Sequence, residues 1–109
     1  ALVHSCDTYF YQVAQRLSVD TIARYARLYG MGVPTGLRIG GERSGTIPDT
    51  AWKRKHFKQP WYAGETMSVA IGQGYVTATP LQMATLIATE AVGRRMRPRF
   101  VKQIVSADG

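Results

Sequence analysis

Four consecutive residues, Ser5-Cys6-Asp7-Thr8, gather a hydroxyl, a thiol and a carboxylate immediately ahead of Tyr9-Phe10-Tyr11-Gln12-Val13-Ala14. Ser and Asp side-chain oxygens accept hydrogen bonds from the amides that a first helical turn leaves unpaired, so the spacing predicts a helix starting here. A hydroxyl and a carboxylate held at a helix start lie in a positive local field, a setting that suits a proton relay or the orientation of a substrate amide. The same two residues also serve as plain helix caps, and spacing alone leaves both roles open.

Elements must hold that turn in place. Phe10, Val13, Ala14 and Leu17 recur at the three- and four-residue spacing of one apolar helix face, which predicts a first helix pinned into a core. Ser18-Val19-Asp20 supplies a second cap, and Val19, Ile22, Ala23 and Ala26 form the face of a second helix, ended by Gly30 to Gly36 around Pro34. The two helices are expected to pack as a short antiparallel pair. From Leu37 to Gly64 periodicity fails: Leu37-Arg38-Ile39 reads as a short strand, Gly40 to Gly45 as loop, and Pro48-Asp49-Thr50 as the start of a brief helix ending before Pro60. Trp52, Phe57, Trp61 and Tyr62 give this excursion large anchors, read as core or lid rather than as base-stacking platforms. Gly64 to Ile71 fits either helical turns or an extended segment. Thr79-Pro80 marks the next helix, with Leu81, Ala84, Ile87, Ala88 and Ala91 as its expected buried face and Gly93 as its end. Phe100 to Val105 alternates β-branched residues and reads as a strand, which would need partners to form a sheet.

Totals bound the possibilities. A chain of 109 residues is one domain or part of one, long enough to bury roughly 60 to 70% of the surface its unfolded form exposes. Its apolar runs fall far short of the roughly 20 residues of a membrane helix, and its one cysteine, Cys6, excludes an internal disulfide. There is no initiator Met or leader pattern, and Leu2-Val3 already reads as core, so the expectation is a segment of something larger. The net charge of +7 comes largely from Lys53 to Lys58 and from Arg94 to Lys102. Such runs are usually solvated faces, with contact to phosphates or another anionic polymer as the sharper reading. Gly40-Gly41 lacks the Gly-Lys-Ser/Thr ending of a phosphate loop.

Taken together, Ser5-Cys6-Asp7-Thr8-Tyr9-Phe10-Tyr11, Pro34-Thr35-Gly36, Gly41-Glu42-Arg43-Ser44-Gly45, Pro60-Trp61-Tyr62 with Gly64-Glu65-Thr66, and Ile71-Gly72-Gln73-Gly74-Tyr75 followed by Ala78-Thr79-Pro80-Leu81-Gln82-Met83-Ala84 resemble the transpeptidase domain of class B penicillin-binding proteins. Their order and spacing are closest to the elongation-type group, penicillin-binding protein 2. The Gly-Gln-Gly to Thr-Pro-Leu-Gln block is the most specific, and the resemblance runs from Leu2 to about Val105.

The resemblance implies a mixed α/β fold of the penicillin-binding protein and serine β-lactamase kind. Residues 1–109 would be a partial transpeptidase domain, mostly α-helical with a C-terminal strand. It implies a serine acyl-transferase in which Ser-x-x-Lys carries the nucleophile, a Ser-Asp-Asn type motif follows, and Lys-Thr-Gly comes third. Ser5-Cys6-Asp7 matches the second motif, with Asp at the third place as in elongation-type relatives. No serine here is followed three residues later by Lys, and Lys-Thr-Gly is absent, so these 109 residues alone should be inactive. Ser5 would relay a proton and Asp7 would hydrogen-bond the substrate amide, making both catalytic and Asp7 also substrate-binding. The implied partners are stem peptides of peptidoglycan ending in D-Ala-D-Ala, β-lactams, and a membrane glycan polymerase. The implied place is the periplasmic face of the bacterial inner membrane, with a single-pass anchor in the complete protein. No cofactor is required, although Cys6 is a candidate zinc ligand in the complete protein, where a structural metal would brace the motif. Two rival readings stand beside this one: a small basic nucleic-acid-binding module, against which no recognition motif is found, and a degenerate relative used as a scaffold.

Overall fold

The computed structural model describes residues 3–4, 6–37, 40–99 and 101–107. Five helices follow one another: α1 (Asp7–Arg16), α2 (Val19–Leu28), α3 (Thr50–Phe57), α4 (Ala63–Ala70) and α5 (Pro80–Val92). They form a slab with principal extents of 62, 35 and 19 Å.

Helix boundaries follow local chemistry. The Ser18 hydroxyl caps α2 by accepting from the Thr21 amide at 3.1 Å, and the Asp49 carboxylate caps α3 by accepting from the Trp52 amide at 2.7 Å. At α5, Thr79 and Gln82 make a reciprocal capping box with Pro80 in the first helical position, and Gly93 closes the helix at a φ of 77°. The ambiguous stretch from Gly64 to Ile71 is helical: the Glu65 carboxylate accepts from the Tyr62 amide at 3.0 Å and starts α4. Two early expectations change. Cys6, rather than Ser or Asp, is the N-cap of α1, and it makes no side-chain cap hydrogen bond. Helices α1 and α2 do not form an antiparallel pair. Leu17 and Ser18 are both extended and redirect the chain, so that α1 lies chiefly against α4, which α2 also touches.

The apolar core is small. Ala23, Met31 and Ile47 are buried together, with Ala26, Val76 and Leu86 packed around them; Ala14, Val19 and Val69 are buried beside α4 and α2. Of the face expected on α1, only Ala14 is buried, while Val13 and Leu17 remain partly exposed.

Polar contacts hold the rest. Arg27 pairs with Asp49 at 2.7 Å and donates to the Ile47 carbonyl, and Asp20 accepts from the Thr50 amide and hydroxyl, so α2 is tied to the start of α3. Gln82, 1% exposed, donates to the carbonyls of Val33 (2.8 Å) and Ser44 (2.6 Å) and accepts from the Thr79 amide. Beside it, Thr46 and Thr77 form an antiparallel bridge. Gly45, at a φ of 67°, lets the two backbones meet there, since a Cβ on it would stand 2.5 Å from the Thr77 carbonyl oxygen.

Helix α5 does not bury the expected face. Gln82 and Thr89 point inward, while Ile87 is 61% exposed and Met83 and Val92 are about half exposed. The hydrogen bonds of Gln82 to the loop fix the rotation of the helix, and a strictly hydrophobic choice would have turned it the other way. The expected C-terminal strand is also absent among the described residues: 101–107 make no strand, Ile104 is 90% exposed, and Phe100 lies outside the described residues. A strand forms only against a partner edge, and none adjoins it here. The strand read at Leu37-Arg38-Ile39 falls largely outside the described residues, and Leu37 itself is not in a strand.

Two expectations for stability follow. Gln82→Leu strands two buried carbonyls, each costing about 1–3 kcal/mol, so thermal unfolding should shift down by several degrees; Gly45→Ala should do the same through a backbone clash. An unchanged midpoint for both would show that this junction does not hold the fold. Acid should act through three carboxylates. The Thr35 hydroxyl and amide hold Glu42 below the usual range. Burial pushes Asp49 and Glu65 up, but Trp52 and Arg27 for the first, and Lys53 and the Tyr62 amide for the second, outweigh it and leave both lowered. Lowered carboxylates stabilise above their ordinary values and stop doing so as pH falls through their native ones. Helicity by circular dichroism should therefore hold from neutrality to about pH 5 and decay below about pH 4. The combined Glu42→Gln, Asp49→Asn and Glu65→Gln variant should lose that decay; a pH-independent profile for the unaltered chain would contradict the assignment.

Candidate functional site

The turn singled out by sequence lies where α1 begins. Asp7 is the first residue of α1 and is exposed, as are Cys6 and Thr8. Ser5 lies outside the described residues. Cys6 gives the helix no side-chain cap hydrogen bond, and the helix terminus presents partial positive charge beside the Asp7 carboxylate. Seven residues further on, Ala14 is buried where α1 packs on α4, and a small pocket lined by Ala14, Gln15, Leu17, Ala63, Thr66 and Met67 lies along that seam. The carboxylate is thus carried on a short rod whose far half is clamped.

What clamps α4 was not legible in the sequence. Lys53, part of a basic run expected to be solvated, is 2% exposed. Its Nζ donates to the Glu65 carboxylate and to the Tyr75 hydroxyl (3.2 Å), with the rings of Tyr75, Phe57 and Tyr62 at 5.0, 5.4 and 5.5 Å. The hydrogen bond that Lys53 donates to Glu65 raises its pKa against the opposing pull of burial, so the ammonium stays charged inside the structure. Trp52 packs on Tyr75 and Phe57, and the Trp61 indole donates to the buried Thr66 hydroxyl at 2.8 Å. These contacts account for the aromatics of the irregular region as packing groups. A Lys with aromatics four and nine residues later, followed by an acid at the start of the next helix, is the only signal the sequence offered. The second basic run is likewise partly engaged: the Arg95 guanidinium lies over Gly30, and Arg97 donates to the Gly36 carbonyl.

Cys6 presents a free, exposed thiol. Among the described residues no group of three or more His, Cys, Asp or Glu side chains could hold a metal ion, so the residues in hand do not make a zinc site around it.

Residues 1–108 match the penicillin binding protein transpeptidase domain. A Haemophilus influenzae peptidoglycan D,D-transpeptidase MrdA is 44% identical over 110 residues, covering 98% of this chain and 17% of the relative. Among solved structures, Pseudomonas aeruginosa PBP2 in complex with WCK 5153 superposes with a TM-score of 0.85 at 41% identity, over 89% of this chain and 22% of that one. A chain from a peptidoglycan synthase complex, described for its coordination of polymerization and crosslinking, gives 0.81 at 48% identity over 91% of this chain and 17% of its own. The chain thus spans about a sixth of the length of the curated relative. Agreement over nearly every residue, in sequence and in helical arrangement alike, makes this chain a member of the penicillin-binding protein transpeptidase family, similar to its PBP2 and MrdA members.

Proposed function

We propose that this chain is the second-motif segment, a partial transpeptidase domain, of a peptidoglycan D,D-transpeptidase that cross-links stem peptides by serine acyl transfer and is acylated by β-lactams. The observation that carries the reading is an exposed Asp7 at the first turn of α1, with the following turns of that helix packed on α4, inside a chain that matches the family over residues 1–108. The nucleophilic serine belongs to a Ser-x-x-Lys sequence that these residues do not contain. Its oxygen attacks the penultimate D-alanyl carbonyl, the bond to the terminal D-alanine breaks, and the departing amine takes up a proton. An amine of a neighbouring stem then attacks the ester, loses a proton and releases the serine. Ser5 passes these protons between the catalytic lysine and the amines, and Asp7 hydrogen-bonds the substrate amide so that the carbonyl stays in line. The segment contributes no cofactor to either step.

In the complete protein this chemistry takes place at the periplasmic face of the inner membrane, beside a membrane glycan polymerase. The similarity to a chain of a peptidoglycan synthase complex supports that partner. The proposal includes a single-pass anchor in the complete protein; no described helix here is long and apolar enough to cross a membrane. Burial of Lys53 and engagement of Arg95 and Arg97 reduce the free basic surface a nucleic-acid module would use, and nothing in the structure favours that rival.

The test uses a complete transpeptidase, either the protein that carries this segment or the H. influenzae relative with residues 1–108 exchanged into it. Ser5→Ala should lower the acylation rate by a fluorescent penicillin about a hundredfold or more, with thermal stability preserved. Asp7→Asn should retain much of the rate and Asp7→Ala should not, because an amide side chain still bonds the substrate. An unchanged rate for Ser5→Ala takes that hydroxyl out of the mechanism.

A further inference from the structure

The Lys53 ammonium gathers groups from both ends of one helix. Glu65 starts α4 by holding the Tyr62 amide and also receives Lys53, while Tyr75, which follows α4 and the Gly72-Gln73-Gly74 turn, returns its hydroxyl to the same nitrogen. Through Lys53, α3 therefore sets where α4 begins and where the chain leaving it goes. Helix α4 is in turn the principal surface on which α1 rests.

We infer that Lys53 is a positioning residue for the Asp7 carboxylate at the start of α1, acting through Glu65, Tyr75 and α4 on the direction of α1; this rests on the transpeptidase reading above. The lever is short and stiff. From the buried Ala14 to Asp7 is seven residues, about 10 Å along a helix axis, so tilting α1 by about 6° moves the carboxylate by about 1 Å. A displacement of that size is enough to cost about a hundredfold in an acyl transfer that depends on orientation. Stability alone does not account for the arrangement, because buried ion pairs are commonly replaced by apolar groups of similar volume with no loss. An ammonium with a carboxylate, a hydroxyl and three ring faces around it fixes directions as well as filling space, which an apolar side chain does not.

Lys53→Met, Glu65→Gln, the double variant carrying both, and Tyr75→Phe are made in the complete transpeptidase. A fluorescent penicillin then gives two separate quantities, the fraction of molecules that can be acylated and the acylation rate constant of that fraction, with thermal unfolding measured alongside. Lys53→Met and Glu65→Gln should lower the rate constant tenfold or more, and Tyr75→Phe severalfold. The double variant, free of an unpaired buried charge, should recover stability yet keep the low rate constant. A role confined to stability would reduce the reactive fraction and the melting temperature while leaving the rate constant unchanged, and that result overturns the inference. Should Lys53→Met fail to fold, Glu65→Gln decides by the same criterion, since its amide oxygen can still accept from Tyr62. A protein with unaltered Lys53 that resists acylation altogether would instead defeat the transpeptidase reading itself.

Discussion

A lysine nitrogen taken out of water must keep its charge partnered or give up its proton, and this fold is arranged around the first alternative. Lys53 lies within α3, yet its partners come from the start of α4, from the turn after α4 and from the aromatic groups between. None of those segments has much apolar surface of its own to bury. The ammonium gives them a common point of attachment with a defined direction, with the rings of Phe57, Tyr62 and Tyr75 around it and Trp52 packed on two of those rings. The stretch before α4 is tied at these few points while Lys58, Gln59 and Pro60 remain exposed and Phe57 and Tyr62 stay about half exposed.

A second buried polar group does comparable work at the other end. Gln82 has each of its hydrogen-bonding groups met by backbone, and this satisfaction determines which side of α5 faces inward. The consequence is that Met83 and Ile87, one turn apart, face outward, and Val92 is exposed near the end of the helix. In a slab 19 Å thick there is no second layer to cover them. Val101, Ile104 and Val105 are exposed in the same manner. The curated relative is about six times as long and has further residues that can cover such side chains.

Which parts were legible in the sequence follows from which forces are local. Ser18, Asp49, Thr79-Pro80 and Gly93 act within one helical turn, so α2, α3 and α5 could be read with their ends. Helix α4 could not be assigned, because Thr66, Ser68 and Val69 are weak helix formers and its start depends on a carboxylate shared with Lys53. The basic run around Lys53 reads as surface by composition, and Arg54, Lys55, His56 and Lys58 are exposed accordingly; Lys53 alone is withdrawn, by partners 12 and 22 residues away. The inward face of α5 was misjudged for the same reason, since the carbonyls that claim Gln82 lie 38 and 49 residues back. The motif residues themselves were legible as a motif. Their surroundings were not, because those depend on how α1 meets α4.

That meeting also explains why an unremarkable cap suits this position. A Ser, Thr or Asp at the N-cap of α1 would occupy the first-turn amides and add stability locally. Cys6 makes no such bond, and the helix is secured from its far half, at Ala14 against α4. In the proposed transpeptidase this division has a chemical use. The end of the rod that faces substrate keeps its carboxylate and its exposure, while the contacts that fix its direction are made about 10 Å away, where they do not compete with the substrate for hydrogen bonds.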